Sequence, residues 1–343
     1  MRITKLRISK MTRKLLAMLC MLSIGTTLFA GCKKATEDVV EEEAFVPTKT
    51  VDWYCTSSPG GGSDIFSRQI SDIMASNDMV NGQAIVVTNK TDGSGEVGRN
   101  EVANMKGDKA DYTLLTFNSG DLMPMVQNTS NRAANFKILA VMAVDKQLLF
   151  KGKQTKFEDF NQAIEAASEG EQVIIGGSKG DDIATYEKLI AELGYSKDVM
   201  NYITYDSTGD AITAQLGGHI DFVMSKPAAA SEYVESGDLT PVLALATERF
   251  TGNLSDAPTL SEIGNYENVE VPVWRGVAAP AAMSDEAVEF WTEALYKVSE
   301  TDTCKTDYIE KNKLIPNYMN HSVATVYVTQ YEKDYMESLG IAQ

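Results

Sequence analysis

Histidine, cysteine and basic residues are all scarce in this chain, and each shortage closes off a class of chemistry. Two histidines, His219 and His321, and four cysteines occur in 343 residues. No Cys/His group has metal-ligand spacing, so no metal and no cofactor is expected. Lysine and arginine number 31 against 48 acidic residues, a formal net charge of −17. Nucleic-acid binding needs a basic footprint, which this composition lacks. Long apolar runs are missing too. The uncharged stretch 15–30 falls short of the roughly 20 apolar residues that span a bilayer. No G-x-x-x-x-G-K-[ST] segment occurs, which argues against a nucleotide-powered role.

What is present begins at the N-terminus. Arg2, Lys5, Arg7, Lys10, Arg13 and Lys14 precede the apolar stretch, with no acid among them. A basic flank, a short apolar core and small residues at its end read as a secretory signal peptide over residues 1–31. The junction Leu28-Phe29-Ala30-Gly31-Cys32 resembles the bacterial lipobox, which implies lipidation of Cys32 as the first mature residue. Loss of those six basic side chains takes the net charge from −17 to −23. So acidic a surface is repelled by anionic head groups, so attachment to the membrane's outer face falls to the lipid. Residues 32–49 are polar and acidic and read as a tether. Cys55 and Cys304 remain, and an exported compartment permits either a disulfide or two buried thiols.

From Thr50 onward, short apolar runs alternate with amphipathic stretches. Strands are predicted over residues 84–88, 112–117, 138–144, 173–176, 202–205, 220–224 and 242–246. Helical stripes run through Phe66, Ile70, Ile73 and Met74; through Ile183, Tyr186, Ile190 and Leu193; and through Val288, Trp291, Leu295 and Val298. This alternation predicts α/β domains with largely parallel sheets.

Several predicted strand–helix junctions share glycine, small hydroxyl residues and an acidic helix start. The first contains Ser57, Ser58, Gly61, Gly62, Ser63 and Asp64; the second, over residues 89–98, contains Ser94 and Gly95. The third has Ser178 within Gly176-Gly177-Ser178-Lys179-Gly180, and the fourth Thr208, Gly209 and Asp210. Asn118 and Ser119, just past another predicted strand, join the candidate set. Glycines let backbone N–H groups approach a ligand, and helix N-termini carry partial positive charge. A single such loop is ordinarily a tight turn with an N-cap. Together they predict a cleft of N–H and hydroxyl donors at the carboxyl ends of strands, suited to a small carboxylate.

Pro59-Gly60-Gly61-Gly62-Ser63-Asp64 with Arg68, then Asn89, Gly95 and Gly98, then Asp111-Tyr112-Thr113-Leu114-Leu115 follow one another in the chain. Gly217-Gly218-His219-Ile220-Asp221, Ala257-Pro258-Thr259-Leu260-Ser261-Glu262-Ile263-Gly264 and Trp274-Arg275-Gly276-Val277-Ala278-Ala279-Pro280 complete the order. In this the chain, from about Val51 on, resembles the substrate-binding component of tripartite tricarboxylate transporters, the TctC or Bug family. The resemblance implies a type II periplasmic-binding-protein fold: two α/β lobes joined by crossing strands, with ligand between them. Lobe one would comprise residues 50–146 and 249–343, and lobe two residues 147–248. It also implies delivery of the carboxylate to integral-membrane transporter subunits after hinge closure.

Thr56-Ser57-Ser58 stands where the family usually has a Pro-aromatic-Pro run, and Thr91-Asp92 where Pro-Gly is usual. Lys179, Asp181 and Asp182 set the third loop apart, and the nearby cations are Lys90, Lys179, Lys226 and Arg275. These charges point to a ligand with one or two carboxylates, with or without an amino group. For Asp181, Asp182 and Asp210 helix capping is the simpler role. Arg275 has the fork to clamp a carboxylate, though a salt bridge is the commoner fate of a lone arginine. Two rival functions stay open. Residues 176–180 fit the G-x-S-x-G elbow of a serine hydrolase, with Ser178 as nucleophile, Asp221 following and His219 or His321 as base. A receptor presenting its ligand to a membrane sensor would show the same residues.

Overall fold

The computed structural model describes residues 44–341. Residues 1–31, read as a signal peptide, Cys32 and most of the stretch read as a tether lie outside the described residues. Of residues 44–49, read as the end of that tether, Phe45 and Pro47 pack onto the body while the others are exposed. Phe45 stacks edge-on against Tyr112 and Phe290, and Asn81 Nδ2 donates to the Pro47 carbonyl.

The strands are β1 (Val51–Cys55), β2 (Ile85–Asn89), β3 (Thr113–Asn118), β4 (Phe136–Asp145), β5 (Gln147–Gly152), β6 (Val173–Gly177), β7 (Met200–Thr204), β8 (Phe222–Ser225), β9 (Leu239–Leu245), β10 (Val273–Pro280) and β11 (Ile315–Met319). The helices are α1 (Gly62–Ser76), α2 (Glu96–Ala103), α3 (Ser119–Asn128), α4 (Phe160–Ser168), α5 (Asp181–Leu193), α6 (Thr208–Leu216), α7 (Pro227–Glu235), α8 (Leu260–Ile263), α9 (Asp285–Glu300) and α10 (His321–Ser338). One sheet has the order β11-β4-β10-β3-β1-β2 and the other β7-β6-β8-β5-β9. This is the two-lobed α/β architecture of type II periplasmic binding proteins.

Each sheet is parallel in one half and antiparallel in the other, which corrects the expectation of largely parallel sheets. Strand β1 pairs parallel with β2 and β3, and β6 pairs parallel with β7 and β8. The antiparallel partners are the strands near the crossings. β4 passes through Lys146 straight into β5, and β10 and β9 run beside them. A strand that leaves one sheet for the other must oppose the strand that returns.

Alternation along the strands builds a core on each face. Trp53, Leu114 and Val277 face α1 and α9, while Tyr54, Leu115 and Ala278 face α3 and α10. Phe66, Ile70 and Met74 of α1 are fully buried, each burial contributing about 1.5–3 kcal/mol. The α9 stripe is buried as its spacing predicts. On α5, Tyr186, Ile190 and Leu193 are buried together with Leu189, and Ile183 is only half-buried. The second sheet is covered by α4 and α5 on one face and by α6 and α7 on the other. Leu254, Ala257, Leu260 and Val269 also belong to that sheet's cores. Residues 249–271 thus pack with the second sheet, although the sequence reading places them in lobe one; the chain rejoins the first sheet at Val273.

Candidate functional site

The carboxyl ends of β1, β2, β3, β6, β7 and β8 all lead toward one cleft between the sheets. A cavity of about 70 Å³ lies there, lined from both sides. The lobes touch around it. A Cβ on Gly180 would stand 2.5 Å from the Gly120 carbonyl oxygen, so these two backbones meet because neither carries a side chain.

Of the candidates, Ser57, Gly62, Ser63, Ser94, Asn118, Ser178, Thr208 and Arg275 line the cavity. Ser58, Gly61, Asp64, Gly95, Ser119, Gly209 and Asp210 do not, and several have evident local duties. Asp64 accepts from Gly60 N at 3.0 Å, Arg68 Nε at 2.9 Å and Asn89 Nδ2 at 2.8 Å, pinning the glycine loop from behind. Gly61 closes a turn onto Ser58 O and caps α1 without a side chain. That leaves the first N–H groups of α1 directed at the cleft. Asp210 does not itself cap α6: Ser207 Oγ is the cap, accepting from Asp210 N and donating to Asp210 Oδ2 in the first turn. Asn118 caps α3 through Asp121 N and donates to Ser63 Oγ at 3.0 Å.

The buried charges are engaged with one another. Arg275 is 3 % exposed and donates through both Nε and Nη2 to Asp145 Oδ2, the former at 3.1 Å. The salt-bridge alternative is therefore the one its fork adopts. Its guanidinium lies beneath Gly62, where a Cβ would come within 2.7 Å of Nη2. Lys226 Nζ sits 2.5 Å from Asp181 Oδ2 and also pairs with Asp182. Gln147 Nε2 donates to both carboxylates. Asp181 and Asp182 therefore do not cap α5, whose N-cap is Gly180 with no side-chain bond; they engage Lys226 and Gln147 instead. Burial pushes the Asp181 carboxyl up to about 6, with Lys226 opposing and Asp182 reinforcing the rise. The Lys226 ammonium is raised above its usual range: the two carboxylates outweigh burial. Lys179 pairs with Asp206 at 2.7 Å, and Lys90 with Glu101 at 3.0 Å.

Sequence reasoning missed Asp121 and Arg99. Arg99 is fully buried, and its Nη1 reaches Asp121 Oδ1 at 2.6 Å, where Thr56 Oγ1 also donates at 2.7 Å. The signal was available for Asp121, because Asn118-Ser119-Gly120-Asp121 repeats the glycine, hydroxyl and acid pattern of the other loops. For Arg99 the local mark was Glu96, three residues before it and paired with it, while Asp121 lies 22 residues on.

The hydrolase constellation does not assemble. Ser178 Oγ donates to Asp182 Oδ2 at 2.7 Å, His321 Nδ1 bonds the Ile138 carbonyl, and His219 sits at the exposed turn after α6. Asp221 accepts from Ile174 N and ties β6 to β8's entry. Cys55 and Cys304 are both buried free thiols.

Comparison with known proteins gives a consistent picture. The sequence profile of the tripartite tricarboxylate transporter family receptor, TctC, matches residues 66–334. Protein BugT of Bordetella pertussis is 26 % identical over 251 residues, covering 68 % of this chain and 71 % of BugT. Among solved structures, MatC of Rhodopseudomonas palustris with bound malate superposes with a TM-score of 0.71 at 20 % identity. It is covered over 98 % of its length by 85 % of this chain. A second R. palustris protein, solved with adipate, gives 0.72 at 20 % identity, over 86 % of this chain and 99 % of its own. The periplasmic binding protein BugD gives 0.75 at 18 % identity, over 86 % and 99 %.

Proposed function

Because the chain belongs to the tripartite tricarboxylate transporter receptor family, TctC, we propose that it captures a small carboxylate outside the cytoplasm and hands it to membrane transporter subunits. Members of this family are solute-binding receptors, not enzymes, and this chain is one of them. The observation that carries the carboxylate reading is the cleft itself. The N-termini of α1 and α6 meet across it, the first uncapped by any side chain, beside the hydroxyls of Ser57, Ser63, Ser178 and Thr208. Backbone N–H groups and hydroxyls at helix starts suit an anion that finds no unpaired arginine or lysine. Malate and adipate in the two R. palustris proteins support ligands of this size and class.

In this reading the body is held to the outer membrane face by lipid on Cys32. Capture proceeds by closure of the two lobes, and the closed form docks on the transporter. Tethering raises the local concentration at that partner without a large docking surface. Thermal unfolding against a panel of mono-, di- and tricarboxylates tests the ligand class. Ligand at 100-fold its Kd adds about 2.7 kcal/mol of stability, so a mono- or dicarboxylate should raise the midpoint by several degrees. Citrate outcompeting all of them would overturn the assignment.

A further inference from the structure

We propose, resting on the carboxylate reading above, that the ligand also carries a protonated amine, seated between Asp121 of lobe one and Asp181 of lobe two. The argument starts from charge balance. The cleft and the layer directly behind it hold four cations, Arg99, Lys179, Lys226 and Arg275. Six carboxylates pair with them: Glu96, Asp121, Asp145, Asp181, Asp182 and Asp206. No cation there is left for a ligand, and negative charge is in excess. A second ligand carboxylate would enter a site already short of positive charge, whereas an ammonium would relieve it.

A second, independent observation says where the ammonium belongs. Asp121 is 8 % exposed and lines the cavity, yet its Oδ2 has no hydrogen-bond partner. Its other oxygen, Oδ1, takes both Arg99 and Thr56. A buried carboxylate oxygen left unpaired costs about 1–3 kcal/mol or more, a debt that a donor from the ligand removes. Asp181 faces the same spot from the opposite lobe. Lys226 and Gln147 bind its Oδ2, while its Oδ1 is the atom that a side chain on the neighbouring Gly120 would strike, 2.2 Å from the Cβ position. One ammonium with three N–H donors reaches carboxylates on both lobes, and its charge would help hold them together. The ligand carboxylate would remain at the N–H and hydroxyl donors of α1 and α6. The substrate class is accordingly an amino acid or a related zwitterion of small size.

Matched pairs separate the amine from the carboxylate. The probes are aspartate against succinate, glutamate against glutarate, and β-alanine or 4-aminobutyrate against propionate or butyrate, titrated calorimetrically into the full-length protein. In the pair that fits the cleft, the amine-bearing member should bind at least tenfold tighter. Asp121→Asn, and separately Asp181→Asn, should abolish that preference, read as the ratio of affinities within each pair, because either change also frees a cation that the carboxylate now holds. Equal or tighter binding by the amine-free members would overturn the inference and leave the carboxylate receptor standing. No binding by any of these acids, with or without the amine, would overturn both. The wild-type comparison needs no variant to fold, so a misfolded Asp121→Asn does not rescue the idea.

Discussion

At the scale of single residues, the cleft is governed by buried ion pairs that arrange its walls. Arg275 and Asp145 are both buried, and each compensates the other's loss of hydration. Removing one partner leaves an uncompensated charge, so Asp145→Ala should cost about 3–5 kcal/mol. A denaturant titration reads this directly, and a loss under about 1 kcal/mol would mean that Arg275 finds water or another anion. Replacing both partners, Asp145→Leu with Arg275→Met, should recover most of the loss, because an apolar pair of similar volume needs no compensation. Sequence named Arg275 but not its partner, 130 residues away. The same distance effect hid the pairing of Lys226 with Asp181 and Asp182. A charge in sequence shows its sign; its availability to a ligand depends on what folding places beside it.

At the scale of elements, helix starts and the loops before them were the most legible features. Asn118, Ser207, Ser284 and Asn320 cap their helices through side-chain oxygens, as residue type alone suggests. Predicted strands and observed ones correspond for β2, β3, β4 and β6 through β9. Strands β1, β5, β10 and β11 went unpredicted. All eight residues of β10 are buried, so it shows no alternation to read, while β11 at the edge contains Pro316. The element that brings the lobes together is the start of α5. Gly180 has φ +63° and ψ −111°, a region closed to other residues, and abuts Gly120. Gly180→Ala should therefore weaken lobe approach more than folding. The expectation is at least a tenfold loss of ligand affinity, with solution scattering showing a more extended particle in saturating ligand. Unchanged affinity would remove this contact from the closure mechanism.

At the scale of the whole molecule, the proposed reading assigns export and anchoring to the first 32 residues, which are basic where the rest of the chain is acidic. The acidic surface gives no electrostatic hold on anionic lipid, so attachment should depend on one atom, the Cys32 sulfur. Cys32→Ser is expected to lose incorporation of labelled palmitate and to move from the detergent phase to the aqueous phase on partitioning. Retention in the detergent phase would show another membrane contact. The sequence by itself determined the family, the alternating α/β pattern and the glycine and hydroxyl loops, because each is encoded within a few consecutive residues. Tertiary structure alone decided the mixed strand directions, the placement of residues 249–271 with the second sheet, and the engagement of every cleft cation with a carboxylate. Those outcomes depend on residues far apart in the chain that share one low-dielectric space after folding. The same proximity turns a loop pattern suited to any small anion into a cleft with surplus negative charge.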